Sequence, residues 1–374
     1  MAIHFRYGGS VAARLIQCPG YLQAVDKLTP VSKPNPYAQR GTNLHNIQEH
    51  LRNELLVPAE YSITENYPSL TPAEVVDYVE VTHAVYNMTD EILDKYEVDD
   101  YICEPLVKAY DDMGGSIDML AYNTTTAVII DYKMGHNPVD AKYNKQGLFY
   151  FFATTLDKKY SHLVAGKKLV FVIIQPNRAP DIWEITPEDL AKFTVEYTNA
   201  VAQSKDDNPP LNAGASCKYC GNAPYCKALQ THAQKGLYLS KQQKTSIEES
   251  LKIASMLESW ISDVYAEAEA IMIQGEKLEG FKLVAKQARK QWRDKNSFAS
   301  KYSYTTAPEF YKDPELKTPT QILKQIKDDK VLTEEITPEI IAKSSGYNVV
   351  PESDKRKAVD LSTPDALKNL LKKS

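Results

Sequence analysis

The run Ala127-Val-Ile-Ile-Asp-Tyr-Lys133 constrains this chain more than any other stretch. It is apolar and β-branched up to its last three residues, as a buried strand is. Side chains alternate along a strand, so Asp131 and Lys133 share a face. A carboxylate that closes so apolar a run needs a partner or a metal. Just upstream stands Gly115-Ser-Ile-Asp118, separated from the run by a turn-prone Asn123-Thr-Thr-Thr126. Pairing of the two as a hairpin brings Asp118 beside Asp131, and Gly114-Gly115 permits a close backbone approach. Two carboxylates and an ammonium that converge in this way make a site for a hard divalent cation with a cationic helper. Hydrolysis of phosphodiesters uses that equipment.

Two further elements carry polar residues at telling positions. A helix predicted over 141–156 places Gln146 and Tyr150 at i and i+4, on one face. A helix from Thr42 or Asn43 to about Leu55 has Leu44, Ile47, Leu51 and Leu55 at helical spacing, with His45 on its first turn. In this order, His45, Gly115-x-x-Asp118, Asp131-x-Lys133 and Gln146-x-x-x-Tyr150 resemble the motifs of the PD-(D/E)XK nuclease superfamily, specifically its RecB-type branch. The resemblance implies a restriction-endonuclease-like core and a metal-dependent DNA exonuclease. Asp118 and Asp131 would hold one or two Mg²⁺ or Mn²⁺, with His45 and the backbone carbonyl of Tyr132 as further ligands. Lys133 would orient the attacking water, and Gln146 and Tyr150 would place the substrate strand. Glu104, which opens the first core strand, is an additional candidate for a water-mediated metal contact.

Four of the five cysteines form a pattern: Cys217-x2-Cys220-x5-Cys226 in a Gly/Pro-containing loop, and Cys18 in Gln17-Cys-Pro-Gly20 far upstream. By spacing alone, a C-x2-C pair favours Zn²⁺. One distant cysteine followed by C-x2-C-x5-C also resembles the iron–sulfur RecB-type nucleases, AddB-like and CRISPR-associated four-cysteine nucleases among them. That resemblance implies a [4Fe–4S] cluster on Cys18, Cys217, Cys220 and Cys226, with Zn²⁺ as the alternative. Its role would be to close a long loop rather than to pass electrons. Cys103, beside Glu104, reads as a small buried hydrophobe.

The expected class is α/β (mixed α+β). Its core runs three strands (104–110, 115–122, 126–133), a helix, a strand (168–175) and a helix that opens at Thr186-Pro-Glu-Asp. Helical elements precede the core: a short helix over 10–22 carrying Cys18, and another from Thr71 to about Tyr96. Residues 29–40, rich in proline, read as a connector. Residues 1–235 are expected to form the nuclease domain with the cysteine site, and 236–374 a mostly helical, basic extension. The formal net charge of −5 is unevenly spread, because residues 281–374 hold 19 Lys and Arg against 13 Asp and Glu. Within that region Lys286, Arg289, Lys290, Trp292 and Arg293 form either a phosphate-and-stacking surface or a basic strand edge over a buried Trp. This part is similar to an uncharacterised family of phage and prophage RecB-like proteins. No apolar run approaches the ~18 residues of a membrane span, and the start lacks a signal-peptide core. The expected compartment is the cytoplasm, that of the host if the chain is phage-encoded, where thiols stay reduced. The expected partner is DNA with a free or single-stranded end, with a single-strand-annealing or single-strand-binding protein as companion. The alternative is a catalytically silent DNA-binding or recombination scaffold.

Overall fold

The apolar run is the middle strand of a five-stranded sheet, and every residue of it from Thr126 to Tyr132 is buried. The computed structural model describes residues 5–28, 36–135, 137–241, 246–312, 315–343 and 346–359. The chain divides into two compact units between Leu257 and Glu258. Ahead of the sheet stand α1 (Gly9–Gln17), α2 (Tyr21–Asp26), α3 (Pro36–Asn53), α4 (Ile63–Asn66) and α5 (Pro72–Lys95). The strands β1 (Asp100–Cys103), β2 (Leu106–Tyr110), β3 (Met113–Ser116), β4 (Met119–Tyr122) and β5 (Thr126–Tyr132) follow. Then come α6 (Lys145–Leu156), β6 (Lys168–Ile174), β7 (Asp181–Ile185), α7 (Pro187–Ser204), α8 (Lys227–Lys241) and α9 (Ile247–Ile273), which runs across the division.

The sheet order is β1-β4-β5-β6-β7, with β5 and β6 parallel and the other neighbours antiparallel. Strict alternation sorts its side chains onto two helical layers. Val128, Ile130 and Tyr132 join Val170, Val172 and Ile174 beneath Leu44, Ile47 and Leu51 of α3 and Val81 and Val85 of α5. On the other face Ala127 and Ile129 join Phe171 and Ile173 against Leu15 of α1, Phe149 and Phe152 of α6 and Phe193 and Tyr197 of α7. A sheet covered on both faces explains why its central strands read as unbroken apolar runs. Gly147 lets α6 sit directly on β6, since a Cβ there would stand 2.6 Å from the Phe171 ring. Thr71 and Thr186 cap α5 and α7 through reciprocal bonds with Glu74 and Asp189, as their sequences predict.

Several boundaries differ from the expected ones. α3 starts at Pro36 instead of Thr42 or Asn43, because proline is well accommodated in a first turn and Gly41 is carried inside the helix. The rest of the expected connector, residues 29–35, lies outside the described residues. α1 ends before Cys18, which caps it ahead of Pro19, and a separate α2 follows. α6 starts at Lys145, capped by the Asn144 side chain. The first expected strand corresponds to β2, and β1, which precedes it and pairs with β4 in the sheet, went unread; the second is split into β3 and β4, with β2 and β3 paired only with each other. Pro105 has no N–H to donate to a continuous ladder, and the hairpin bends there. The edge strand β7, which buries Trp183 and Ile185, went unread because it is short and borders Pro180.

In the second unit, β8 (Phe281–Ala285), β9 (Arg289–Trp292), α10 (Lys295–Lys301), β10 (Tyr311–Lys312), β11 (Glu315–Leu316), α11 (Pro319–Gln325), α12 (Lys330–Ile336), β12 (Ile340–Lys343) and β13 (Tyr347–Pro351) follow in order. β8 pairs with β13 and β9 with β12, both antiparallel. Phe298, Phe310, Ile322 and Ile336 form the core there.

Candidate functional site

The pairing of Met119 with Ile130 sets Asp118, one residue before β4, level with Asp131 near the end of β5. The bent hairpin supplies the third acid. At the bend the Glu104 N–H donates to the Asp118 carbonyl and the Ile117 N–H to that of Pro105. Glu104 has φ 49°, a left-handed conformation that costs a non-glycine residue ~1–2 kcal/mol. Its carboxylate accepts a 2.5 Å hydrogen bond from the Ser116 hydroxyl. His45 arrives from α3, across the opposite face of the sheet, and its Nδ1 lies 3.5 Å from Asp118 Oδ2. Ligand atoms of His45, Glu104 and Asp118 lie within 4.8 Å of one another, so these three residues could hold a metal ion.

Beside this group a polar chain leads away from the sheet. Asp131 is 2% exposed, and its Oδ2 lies 2.7 Å from Lys133 Nζ. Lys133 Nζ donates to Gln146 Oε1 at 3.0 Å, and Gln146 Nε2 donates to the Tyr150 hydroxyl at 2.8 Å. The Tyr150 ring is seated between two glycines: a Cβ at Gly9 of α1 would stand 3.1 Å from it, and one at Gly115 of β3 would stand 3.3 Å away. One cleft is lined by Gly41 and His45 of α3, by Asp118, by residues 131–135, and by Gln146 and Gln175. The loop after β5 is firmly held there. Gln175 Oε1 accepts from the Val139 N–H, and Gln175 Nε2 donates to the carbonyls of Gly135 and Asn137. Arg40 NH1 donates to the Met134 carbonyl.

Burial, then the neighbouring Asp131 charge, holds the Asp118 carboxyl well above the usual carboxylate range, against the pull of the Tyr132 N–H that donates to it at 2.6 Å. Burial likewise raises Glu104, opposed by Ser116. Burial lowers His45, leaving the neutral imidazole that a metal needs. Acids crowded in this way lack positive charge, and a divalent cation supplies it.

The structure thus gathers His45, Asp118, Asp131, Tyr132, Lys133 and Gln146 around one cleft, with Tyr150 behind Gln146 and Glu104 beside Asp118. Sequence reasoning passed over Ser116, Arg40 and Gln175. An amide that ends an apolar strand was the available signal for Gln175; nothing beyond adjacency to Gly115 marked Ser116.

Cys18, Cys217, Cys220 and Cys226 line a second cavity, between the end of α1 and the loop before α8. Cys18 Sγ accepts from the Asn212 N–H at 3.4 Å, and Cys217 Sγ from the Gly214 N–H at 3.3 Å. Burial raises the thiols of Cys18, Cys217 and Cys220, with backbone N–H groups opposing it in each case. Four sulfur donors with N–H···S support fit a thiolate-bound metal centre. Cys103 is half-buried in a different place, and burial pushes its thiol up to about 11.

In the second unit Lys286, Arg289, Lys290 and Arg293 are exposed on or next to β8 and β9. Trp292 faces inward: it stacks on Phe298 with ring centroids 3.9 Å apart, and its indole N–H donates to the Lys317 carbonyl.

A family model matches residues 4–357. The chain belongs to the family described as Protein of unknown function (DUF2800). No curated protein matches it. Among solved structures it is similar to the crystal structure of SSO0001, at 17% identity, 58% of this chain, 96% of that chain and a TM-score of 0.25. It is also similar to LHK-Exo in complex with dAMP, at 12% identity, 52% of this chain, 90% of that chain and a TM-score of 0.23. Likeness at such TM-scores carries no weight for fold or function. Among the described residues no helix is long and apolar enough to cross a membrane.

The raised Asp118 and Glu104 carboxyls make stability depend on pH in a definite direction. Acids whose folded-state pKa exceeds the unfolded value bind more protons folded than unfolded. Their contribution to the stability of the metal-free fold is therefore greatest below the unfolded carboxylate range and is lost as pH rises through the folded values. A bound cation offsets that loss, so the gain in melting temperature on replacing EDTA with Mn²⁺ should grow from acid to neutral pH. Scanning calorimetry across pH checks this; a gain flat in pH would remove the cation from this group.

Proposed function

We propose that this protein is a metal-dependent DNA exonuclease of the RecB type. The observation that supports it is the convergence of His45, Glu104 and Asp118 beside the Asp131–Lys133 pair in one open cleft. One imidazole with carboxylates suits Mn²⁺ at least as well as Mg²⁺. His45, Glu104 and Asp118 would hold the ion, with Asp131 and the Tyr132 carbonyl completing the set. Bound there, the ion supplies Lewis acidity to the phosphate and lowers the pKa of the attacking water. Lys133 then offsets negative charge that grows in the transition state. Gln146 fixes the direction of the ammonium by accepting from it, and its other amide end is fixed in turn by Tyr150. DNA with a free or single-stranded end is the proposed substrate, with a strand-annealing or strand-binding protein as companion. The second unit contacts phosphates outside the cleft through Lys286, Arg289, Lys290 and Arg293. The four-cysteine cavity takes a [4Fe–4S] cluster, with zinc as the competitor, and ties α1 to the loop before α8.

Digestion of end-labelled linear DNA and closed circular duplex with Mg²⁺ or Mn²⁺ tests the activity. Release of nucleotides from the linear form alone is expected, faster from single strands. Lys133→Ala should lower kcat by about 10²-fold or more while leaving DNA binding close to wild type. Binding without any cleavage by the wild type would leave a scaffold protein in place of a nuclease.

Anaerobic purification should yield brown protein with about four iron and four sulfide per chain. A colourless preparation with one zinc replaces the cluster by a zinc site.

Neutralising Arg289, Lys290 and Arg293 together should weaken DNA binding and flatten its dependence on salt, with turnover at saturating DNA little changed. An unaltered salt slope moves the phosphate contacts elsewhere.

A further inference from the structure

Two glycines on the rim of the cleft have no structural use. Glycine is usually kept where φ is positive or where another group comes too close for a Cβ. Those reasons are visible at other glycines of this unit. Gly166 has φ +69°, Gly114 lies where a Cβ would stand 2.5 Å from the Val107 carbonyl, and Gly214 where one would stand 2.6 Å from the Gln17 amide. Gly41 and Gly135 lack both reasons. Neither has a positive φ, and among the described residues a Cβ on either would meet no atom within 4 Å. Inside a helix, Gly41 costs ~1 kcal/mol relative to alanine. Both line the cleft that contains His45, Asp118 and Lys133.

Their surroundings also argue against a hinge. Arg40, beside Gly41, pairs with Asp77 at 2.7 Å and donates to the carbonyl of Met134, beside Gly135, at 3.0 Å. Gln175 holds the Gly135 carbonyl itself at 3.2 Å. The two glycines therefore flank a fixed bridge between α3 and the loop after β5. Gly41 precedes His45 by four residues, one helical turn or about 6 Å along α3. A small phosphodiester at the proposed cation site extends little beyond that distance, whereas a polynucleotide continues well past it.

We propose that Gly41 and Gly135 keep open a passage for one polynucleotide strand, whose sugar–phosphate backbone runs along the cleft over the Arg40–Met134 bridge. They would thereby select polymeric over small phosphodiesters. This inference rests on the nuclease reading above.

The test compares wild type, Gly41→Leu, Gly135→Leu and Gly41→Ala on two substrates with Mn²⁺: an end-labelled single-stranded oligonucleotide and thymidine 5′-(p-nitrophenyl phosphate). Melting temperature and Mn²⁺ binding are read on the same samples. Gly41→Leu should melt no lower than wild type, because leucine favours the helix. The ratio of kcat/KM for the oligonucleotide to that for the small ester should fall roughly tenfold or more in each leucine variant, mainly through the oligonucleotide KM. Gly41→Ala should shift the ratio in the same direction by less, and this variant carries the test if leucine at position 41 unfolds the protein. A ratio unchanged in the folded variants overturns the proposal, as does a parallel loss on both substrates. Wild-type protein that cleaves neither substrate removes the nuclease reading, and the passage with it.

Discussion

The register between β4 and β5 is the constraint on which the rest of the site depends. Met119 opposite Ile130 puts Asp118 level with Asp131. Slipping the pairing by one residue would turn every side chain of one strand to the other face. The slip would turn Asp118 under the apolar side chains of α3 and Met119 toward the α6 side, so the layers that fix the register also fix the acids. Cys103 opposite Met119 likewise brings Glu104 level with Asp118, and the hairpin leaves the sheet just beyond them, at Pro105 and Ile117. The left-handed backbone at Glu104 is where strain is held, as it often is at functional sites.

The cleft draws on both helical layers of the sheet. His45 comes from the α3 side, while Gln146 and Tyr150 come from the α6 side. The end of β5 is where residues from the two layers approach each other, which is why the acidic group and the lysine chain meet there. Charge is divided accordingly. Carboxylates with raised pKa values crowd toward His45, and the Lys133 ammonium is drawn toward Asp131 and Gln146. An added cation would find negative charge already assembled and a lysine already turned aside.

Much of this was legible because short-range rules dominate it. The apolar run of β5, the caps at Thr71 and Thr186 and the i, i+4 placing of Gln146 and Tyr150 all follow from local pattern. What escaped depended on tertiary partners. Glu104 could be marked only as a candidate, since its approach to Asp118 depends on the pairing of β1 with β4, and β1 went unread. Gln175 holds three backbone groups of a loop some 40 residues upstream, and no local signal states that. Residues 29–40 read as a connector because three prolines fall among them, and the helix was expected only after Gly41, from Thr42 or Asn43. The helix instead runs through Gly41 with open space on that side. Trp292 fits the buried-tryptophan reading through its stack on Phe298.

α1 is only nine residues long, and both its ends are committed. Gly9 sits against Gln146, Phe149 and Tyr150, while Cys18 follows the last turn at the cysteine cavity. Each residue of an α-helix advances the chain about 1.5 Å and rotates it by roughly 100°. One inserted residue would therefore swing Cys18 about a quarter-turn out of the cavity or lift the backbone at Gly9 off the tyrosine. The helix acts as a ruler whose length cannot drift. Insertions and deletions among relatives should therefore spare 9–18.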